Sequence, residues 1–280
     1  MKKLIGIILF FALAASLTAQ KDMSKRIDPI VEEGRRLYRS EMASWYGTDI
    51  FIDKYRNHDN ISGYFSYSEG DLNKCIFFSV GKEPRVIGTI TFDNNFDVEK
   101  AQADLTEREF SKMENDLYRM RAAAMEAIGK DTLFKTYTNT NLNLIPMISD
   151  GERKVYVLTG PQKTGVVIFG NDYLLTFDKK NNLKERKQLH RNILAIEYEA
   201  KSGDDESQVA TMHTHSPETG DLITATDICT LLLYEKYAKW TQHTVISANY
   251  VSIWNCRTDE LVVLTKEAMD RIDALREKKN

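Results

Sequence analysis

Only three cysteines, Cys75, Cys229 and Cys256, occur in the 280 residues. Three thiols cannot all pair within one chain, so a disulfide-built scaffold is excluded. There is no CxxC, which leaves a thiolate zinc site without a basis. GxGxxG and GxxxxGK[ST] are missing too, so nucleotide binding has no motif to rest on. The 38 Lys and Arg do not outnumber the 41 Asp and Glu, and no basic footprint for nucleic acid results. Beyond the N terminus there is no second long apolar run, so no stable membrane span is expected elsewhere.

What is present begins with MKKLIGIILFFALAASLTAQ. Two lysines precede an unbroken apolar core from Leu4 to Ala15, and small residues follow, with cleavage expected after Ala19. This is the layout of a secretory signal peptide, residues 1–19, and the expected destination is the periplasm or the cell exterior. Export permits a disulfide, for which Cys229 with Cys256 is the expected pair; buried free thiols are the other reading.

The mature chain divides by pattern into an N-terminal α+β region of unknown role, residues 20–140, and a second region, residues 141–280. Residues 27–46 carry apolar positions at helical spacing. Short strands are predicted over 64–67, 75–80 and 85–92, separated by turn-forming GDLNK and GKEP. A longer helix is predicted over 105–128, with Thr106 and Glu109 as its capping box and Gly129 as its stop. Its Met113, Met120 and Met125 read as packing residues. A polar run at 136–143 reads as the linker. Strands are then predicted over 154–159, 165–169, 173–177, 192–198 and 208–213, a helix over 225–240, strands over 243–248, 250–254 and 261–264, and a charged helix over 266–277. Meandering strands around a central helix predict an α+β fold rather than a doubly wound one.

One stretch can carry chemistry, TMHTHSPETGDLITATDIC. On a strand, positions i and i+2 share a face, so His213 and His215 can aim at one ion. Asp227 falls in the first turn of the helix that follows. Two imidazoles and a carboxylate leave a fourth tetrahedral position for water, the arrangement of a catalytic zinc. The same residues have ordinary uses: Thr224 and Asp227 also make a T-x-x-D helix cap, and HTHS also suits a polar strand end. Among the other histidines, His58 and His190 read as surface residues, and His243, like Asp221, as a partner standing behind a ligand. Trp240, Trp254 and Tyr250 read as packing between helix and sheet. Arg186 and Lys187 read as part of a charged turn.

HTHSPETGDLITATD resembles the signature of the JAMM (JAB/MPN) metalloprotease family. His213 and His215 match its histidine ligands and Asp227 its aspartate, Ser216 stands where the family has proline or serine, and Ile223 replaces a proline. Thr224 takes the place of a serine whose hydroxyl helps hold the tetrahedral intermediate. The resemblance covers about residues 150–265 and implies a JAB/MPN-like mixed sheet with flanking helices, a bound Zn2+ and hydrolysis of peptide or isopeptide-like amide bonds. For an exported chain it implies a peptide or protein substrate or partner in the cell envelope. The family also acts through a glutamate on its first strand, and here that position aligns with Gln162, whose amide cannot take a proton from water. Glu197 and Glu199 share one strand face and are the substitutes expected, with Glu218 on the PETG loop a third. Three outcomes stay open: a site active through a displaced carboxylate, a metal site without activity, or a fold retained as a binding module.

Overall fold

The computed structural model describes the backbone of residues 2–198 and 210–278, with side chains from residue 22 onward. Glu199 and the start of the strand predicted at 208–213 lie outside the described residues. The helical spacing near the N terminus becomes α1 (Lys2–Lys54). Along its second half Gly34, Leu37, Ser40, Ala43, Gly47 and Phe51 are buried, a stripe of mostly small residues that lets other elements approach closely. Alternating apolar residues produce β1 (Ile61–Glu69), β2 (Leu72–Ser79) and β3 (Val86–Phe92), joined by β4 (Gln102–Asp104) into an antiparallel sheet in the order β1-β2-β3-β4.

The next helix, α2 (Lys112–Lys130), starts later than the pattern predicts. Its capping box is Ser111 with Glu114, not Thr106 with Glu109. Residues before it are held otherwise: Arg108 pairs by backbone with Val86 and by its guanidinium with the buried Glu114, at 2.7 and 2.8 Å. The polar run at 136–143 leads directly into β5 (Thr140–Ser149), which pairs with β6 (Glu152–Pro161). After β7 (Val166–Gly170) come β8 (Tyr173–Phe177) and β9 (Leu183–Gln188), giving a second sheet, β5-β6-β8-β9, while β7 pairs instead with β10 (Ile193–Glu197). The core is continuous across residue 140: Leu117 and Met120 of α2 pack with Phe65 and Ile76 on one side and with Val155, Val157, Tyr173 and Leu175 on the other.

The third sheet holds β11 (Ala210–Thr214), β12 (Gln242–Ile246), β13 (Tyr250–Asn255) and β14 (Glu260–Thr265) in that order. β11 and β12 are parallel, with α3 (Ala225–Ala238) as their crossover; the remaining pairs are antiparallel. The chain closes with α4 (Lys266–Glu277). The fold is thus mixed α+β, with several sheets and flanking helices. Among the described residues no helix is long and apolar enough to cross a membrane. Cys229 and Cys256 are not joined; both are buried free thiols, as is Cys75. Trp254 and Trp240 are buried in the cluster that packs α3 on β7, β12 and β13.

Two features of α1 carry predictions. A Cβ at Gly34 would stand 2.7 Å from Ile228 Cβ and 3.0 Å from the Ala225 carbonyl. Glycine inside a helix normally costs ~0.5–1 kcal/mol relative to alanine, but here the missing side chain lets α1 touch α3. Gly34→Ala is expected to destabilise by about 1–3 kcal/mol, as overpacking does, measured as a fall in urea midpoint.

Seven residues along α1, Glu41 accepts a hydrogen bond from Asn143 Nδ2 at 3.1 Å, and burial pushes its carboxyl up to about 7. A folded-state value above the unfolded one means the folded chain binds the extra proton, so stability is present at low pH and lost as pH rises from about 4.5 through 7. The loss expected is on the order of 2–3 kcal/mol. Glu41→Gln should flatten that part of the stability profile.

Candidate metal centre

The parallel β11–α3–β12 unit sets the geometry of the site. His213 lies near the end of β11, the chain leaves the sheet at His215, whose N–H donates to the Ile246 carbonyl, and α3 begins ten residues further on. Ligands therefore collect beyond the carboxyl end of a strand, beside the positive end of a helix, which favours an anionic group there. Asp227 is that group. Thr224 caps the helix, accepting from Asp227 N–H at 3.1 Å, and its own N–H and hydroxyl both donate to Asp227 Oδ2, at 2.9 and 2.8 Å. The T-x-x-D cap and the candidate metal ligand are thus the same carboxylate.

His213, His215 and Asp227 do converge. His213 Nε2 is 3.0 Å from His215 Nε2, and the carboxylate oxygens of Asp227 lie 3.6 and 3.2 Å from the two histidines. Donor atoms about 2.0–2.1 Å from a tetrahedral ion stand roughly 3.3 Å from one another. The His213–His215 and His215–Oδ2 separations are close to that spacing, and the His213–Oδ1 separation is slightly longer.

A fourth residue joins them, and the sequence pattern had it on the surface. His190 is buried; its Nε2 lies 3.2 Å from His215 Nε2 and 3.7 Å from Asp227 Oδ2. The charged strand β9 before it is solvent-facing, but the chain then turns inward, because Asp172 Oδ1 accepts both the His190 backbone N–H at 3.0 Å and Nδ1–H at 2.7 Å. Asp172 sits in the Gly170-Asn171-Asp172 turn between β7 and β8. That turn needs glycine: Gly170 has φ of +80°, and a Cβ there would meet the Asn192 carbonyl at 2.2 Å. All four ligand atoms lie within 4.8 Å of one another, so this buried three-histidine, one-aspartate cluster can hold a metal ion.

Proton positions follow from the partners. With Nδ1–H donated to Asp172, His190 aims Nε2 at the centre, an N–H while the ring is cationic and a lone pair once it is neutral. His213 Nδ1 lies 2.9 Å from His243 Nε2, and His243 Nδ1 lies 2.7 Å from Thr211 Oγ1. A chain of donors running from His213 to His243 to Thr211 leaves His213 Nε2 free to ligate. Burial, reinforced by the neighbouring His213, pushes His243 down to about 3, which keeps it neutral and able to accept. His243 therefore stands behind His213. Asp221 does not: it accepts from Asn249 Nδ2, away from the cluster. His215 Nδ1 has no partner among the described residues.

Charges inside the cluster are mutually dependent. Burial alone would raise the Asp227 carboxyl, yet His190, His213 and His215 hold it well below the usual range. Burial would lower His190, but the charges of Asp227 and Asp172 override it and raise the imidazole to about 9. The Asp227 carboxylate and the His190 imidazolium thus hold each other in charged form.

Of the predicted carboxylate partners, the two described ones, Glu197 and Glu218, lie outside the cluster. Glu197 is exposed at the far end of β10, opposite Val166, about 13 Å along the strand from Ile193 at the site end. Glu218 is exposed on the turn after the histidines. Gln162 lies past the end of β6, its amide donating to Asn141 Oδ1. The cluster opens on one side into a cleft of about 440 Å³ lined by His190, His213 and Asp227 together with Phe169, Ile193, Leu194 and Met212. Ring centroids of His190 and His213 are 6.4 Å apart, against 4.9 and 5.0 Å for the pairs with His215, so the cluster is widest on the His190–His213 side.

Comparisons with family models, with curated proteins and with solved structures return no match. What the cluster does is therefore read from its own geometry and chemistry.

Proposed function

We propose that the chain is an exported zinc-dependent hydrolase of peptide or isopeptide-like amide bonds, in which His213, His215 and Asp227 hold the ion and His190 carries the proton. One observation carries this reading: His213 and His215 stand 3.0 Å apart with an Asp227 oxygen within 3.6 Å of each, while a third imidazole, fixed from behind by a buried aspartate, aims its Nε2 at the same centre. Zinc bound by two imidazoles and a carboxylate lowers the pKa of a coordinated water toward about 7 and polarises a carbonyl oxygen. The charge of a bound ion would favour the neutral His190 ring, whose Nε2 would accept the proton of the attacking water and return it to the departing amine nitrogen, while Asp172 keeps the ring oriented and stabilises its cationic form. The pair does the work expected of a glutamate in the JAMM family, which the HTHSPETGDLITATD stretch resembles, and removes the need for Gln162 or Glu197 in that role. Thr224 spends its hydroxyl proton on Asp227 and so holds the ligand. The signal-like N terminus supports action in the periplasm or outside the cell.

A second reading is a four-ligand closed site in a binding module without activity. It is favoured by the 3.2 and 3.7 Å spacings of His190, which also suit a ligand. Zinc-reconstituted full-length protein, assayed on quenched fluorescent peptides and an ε-linked isopeptide, separates the two. Turnover that stops on chelation and returns with zinc is expected. One equivalent of tightly held zinc with no turnover of any substrate would leave the closed site.

A further inference from the structure

The cleft at the cluster has an uneven lining. One wall is apolar, Phe169, Ile193, Leu194 and Met212, and the last two hold large side chains toward solvent, 39% and 62% exposed. Apolar side chains kept at the mouth of a polar cleft are typical of a surface that receives a ligand. Apart from the clustered His190, His213 and Asp227, the only charged side chain lining the cleft among the described residues is Arg191. It follows His190 directly in the chain, so a group engaged by it lies beside the reacting centre. Among the described residues its guanidinium forms no ion pair. Its charge reaches exposed Glu218, whose carboxyl is lowered first by Ser216 and its own backbone and then by Arg191.

We propose that Arg191 is a specificity residue that recognises a substrate carboxylate, carried next to an apolar side chain that lies along Leu194 and Met212. A guanidinium presents a planar fork that matches a carboxylate, and at the rim of a partly dehydrated cleft that match discriminates strongly. The carboxylate is either the C terminus of the peptide or an acidic side chain next to the cleaved bond. This inference rests on the hydrolase reading and assigns its substrate class.

Three acetylated peptides with leucine as the apolar residue test it: one ending in a free acid, the same peptide amidated, and an amidated peptide with glutamate beside the leucine. Binding is measured by calorimetry on the metal-free full chain, where no turnover occurs, and KM and kcat on the zinc-loaded chain. The wild type is expected to prefer the free acid, the glutamate peptide or both over the plain amide by about 10- to 100-fold in affinity. Which of the two is preferred identifies the source of the carboxylate. In Arg191→Gln the preference should fall to within about twofold, through KM and not kcat, with zinc content unchanged; Arg191→Lys should keep part of it. Zinc-dependent cleavage with equal preference in wild type and Arg191→Gln overturns the role of Arg191 and leaves the hydrolase reading intact. Absence of both binding and cleavage for all three peptides overturns the two together.

Discussion

Asp227→Ala is expected to lose zinc. Binding by a complete protein site is worth ~10–16 kcal/mol, so one of three or four ligands represents roughly 3 kcal/mol or more, a hundredfold or greater loss in a chelator competition. The charged ligand should lie at the upper end, because it alone offsets the positive charge of the ion in a buried setting. The same substitution breaks the contacts through which Asp227 accepts from Thr224 and draws three imidazoles together, so the metal-free variant should also unfold at lower denaturant. Thr224→Ala separates the effects. It removes the cap hydroxyl, worth ~1 kcal/mol of stability, and leaves the ligand, so zinc should still bind within about tenfold of wild type. A wild-type affinity in Asp227→Ala would remove this carboxylate from the site.

His190→Ala decides between proton carrier and ligand. For the hydrolase, zinc affinity is expected to stay within about tenfold of wild type while turnover falls by roughly 10²–10⁴-fold, the usual contribution of a positioned acid or base. Asp172→Asn should repeat the effect in part, since an amide oxygen can still accept from Nδ1–H but cannot stabilise the cation. If His190 is instead a fourth ligand in a closed site, its removal weakens zinc about a hundredfold and there is no turnover to lose. Measuring zinc content and peptide cleavage on the same preparations reads both outcomes.

The readable part of this molecule was what repeats over short distances. Most strands of the second half were legible because alternation and turn residues mark them, although β5 was missed where its start reads as a polar linker, and α3 was legible because its T-x-x-D cap precedes an apolar run. β9 was not, since LKERKQ has no apolar alternation and only its backbone pairing to β8 makes it a strand. The start of α2 was misread because two S/T-x-x-E boxes lie five residues apart. Local sequence cannot rank them; the pairing of Arg108 with Val86 and Glu114 does. The same distinction runs through the site. His213, His215 and Asp227 fall within fifteen residues and carry a spacing signal, whereas His190 and Asp172 come from other segments. Their only trace was a glycine-containing turn, GND, and a leucine-histidine pair closing a charged strand, neither of which states that the two segments meet.

The tight crossing of α1 on α3 at Gly34 has a consequence for when the site comes into being. Ala225 and Ile228, which Gly34 touches, flank Asp227 in the first turn of α3. The ligand shell thus draws on the N-terminal helix, on the Asp172 turn, on His190, and on the β11–α3 junction, stretches scattered over almost the whole length of the polypeptide. An unfolded chain has no such cluster to offer, so any ion it takes up should be acquired only after the last of these pieces has docked, and metal uptake should track folding of the whole chain.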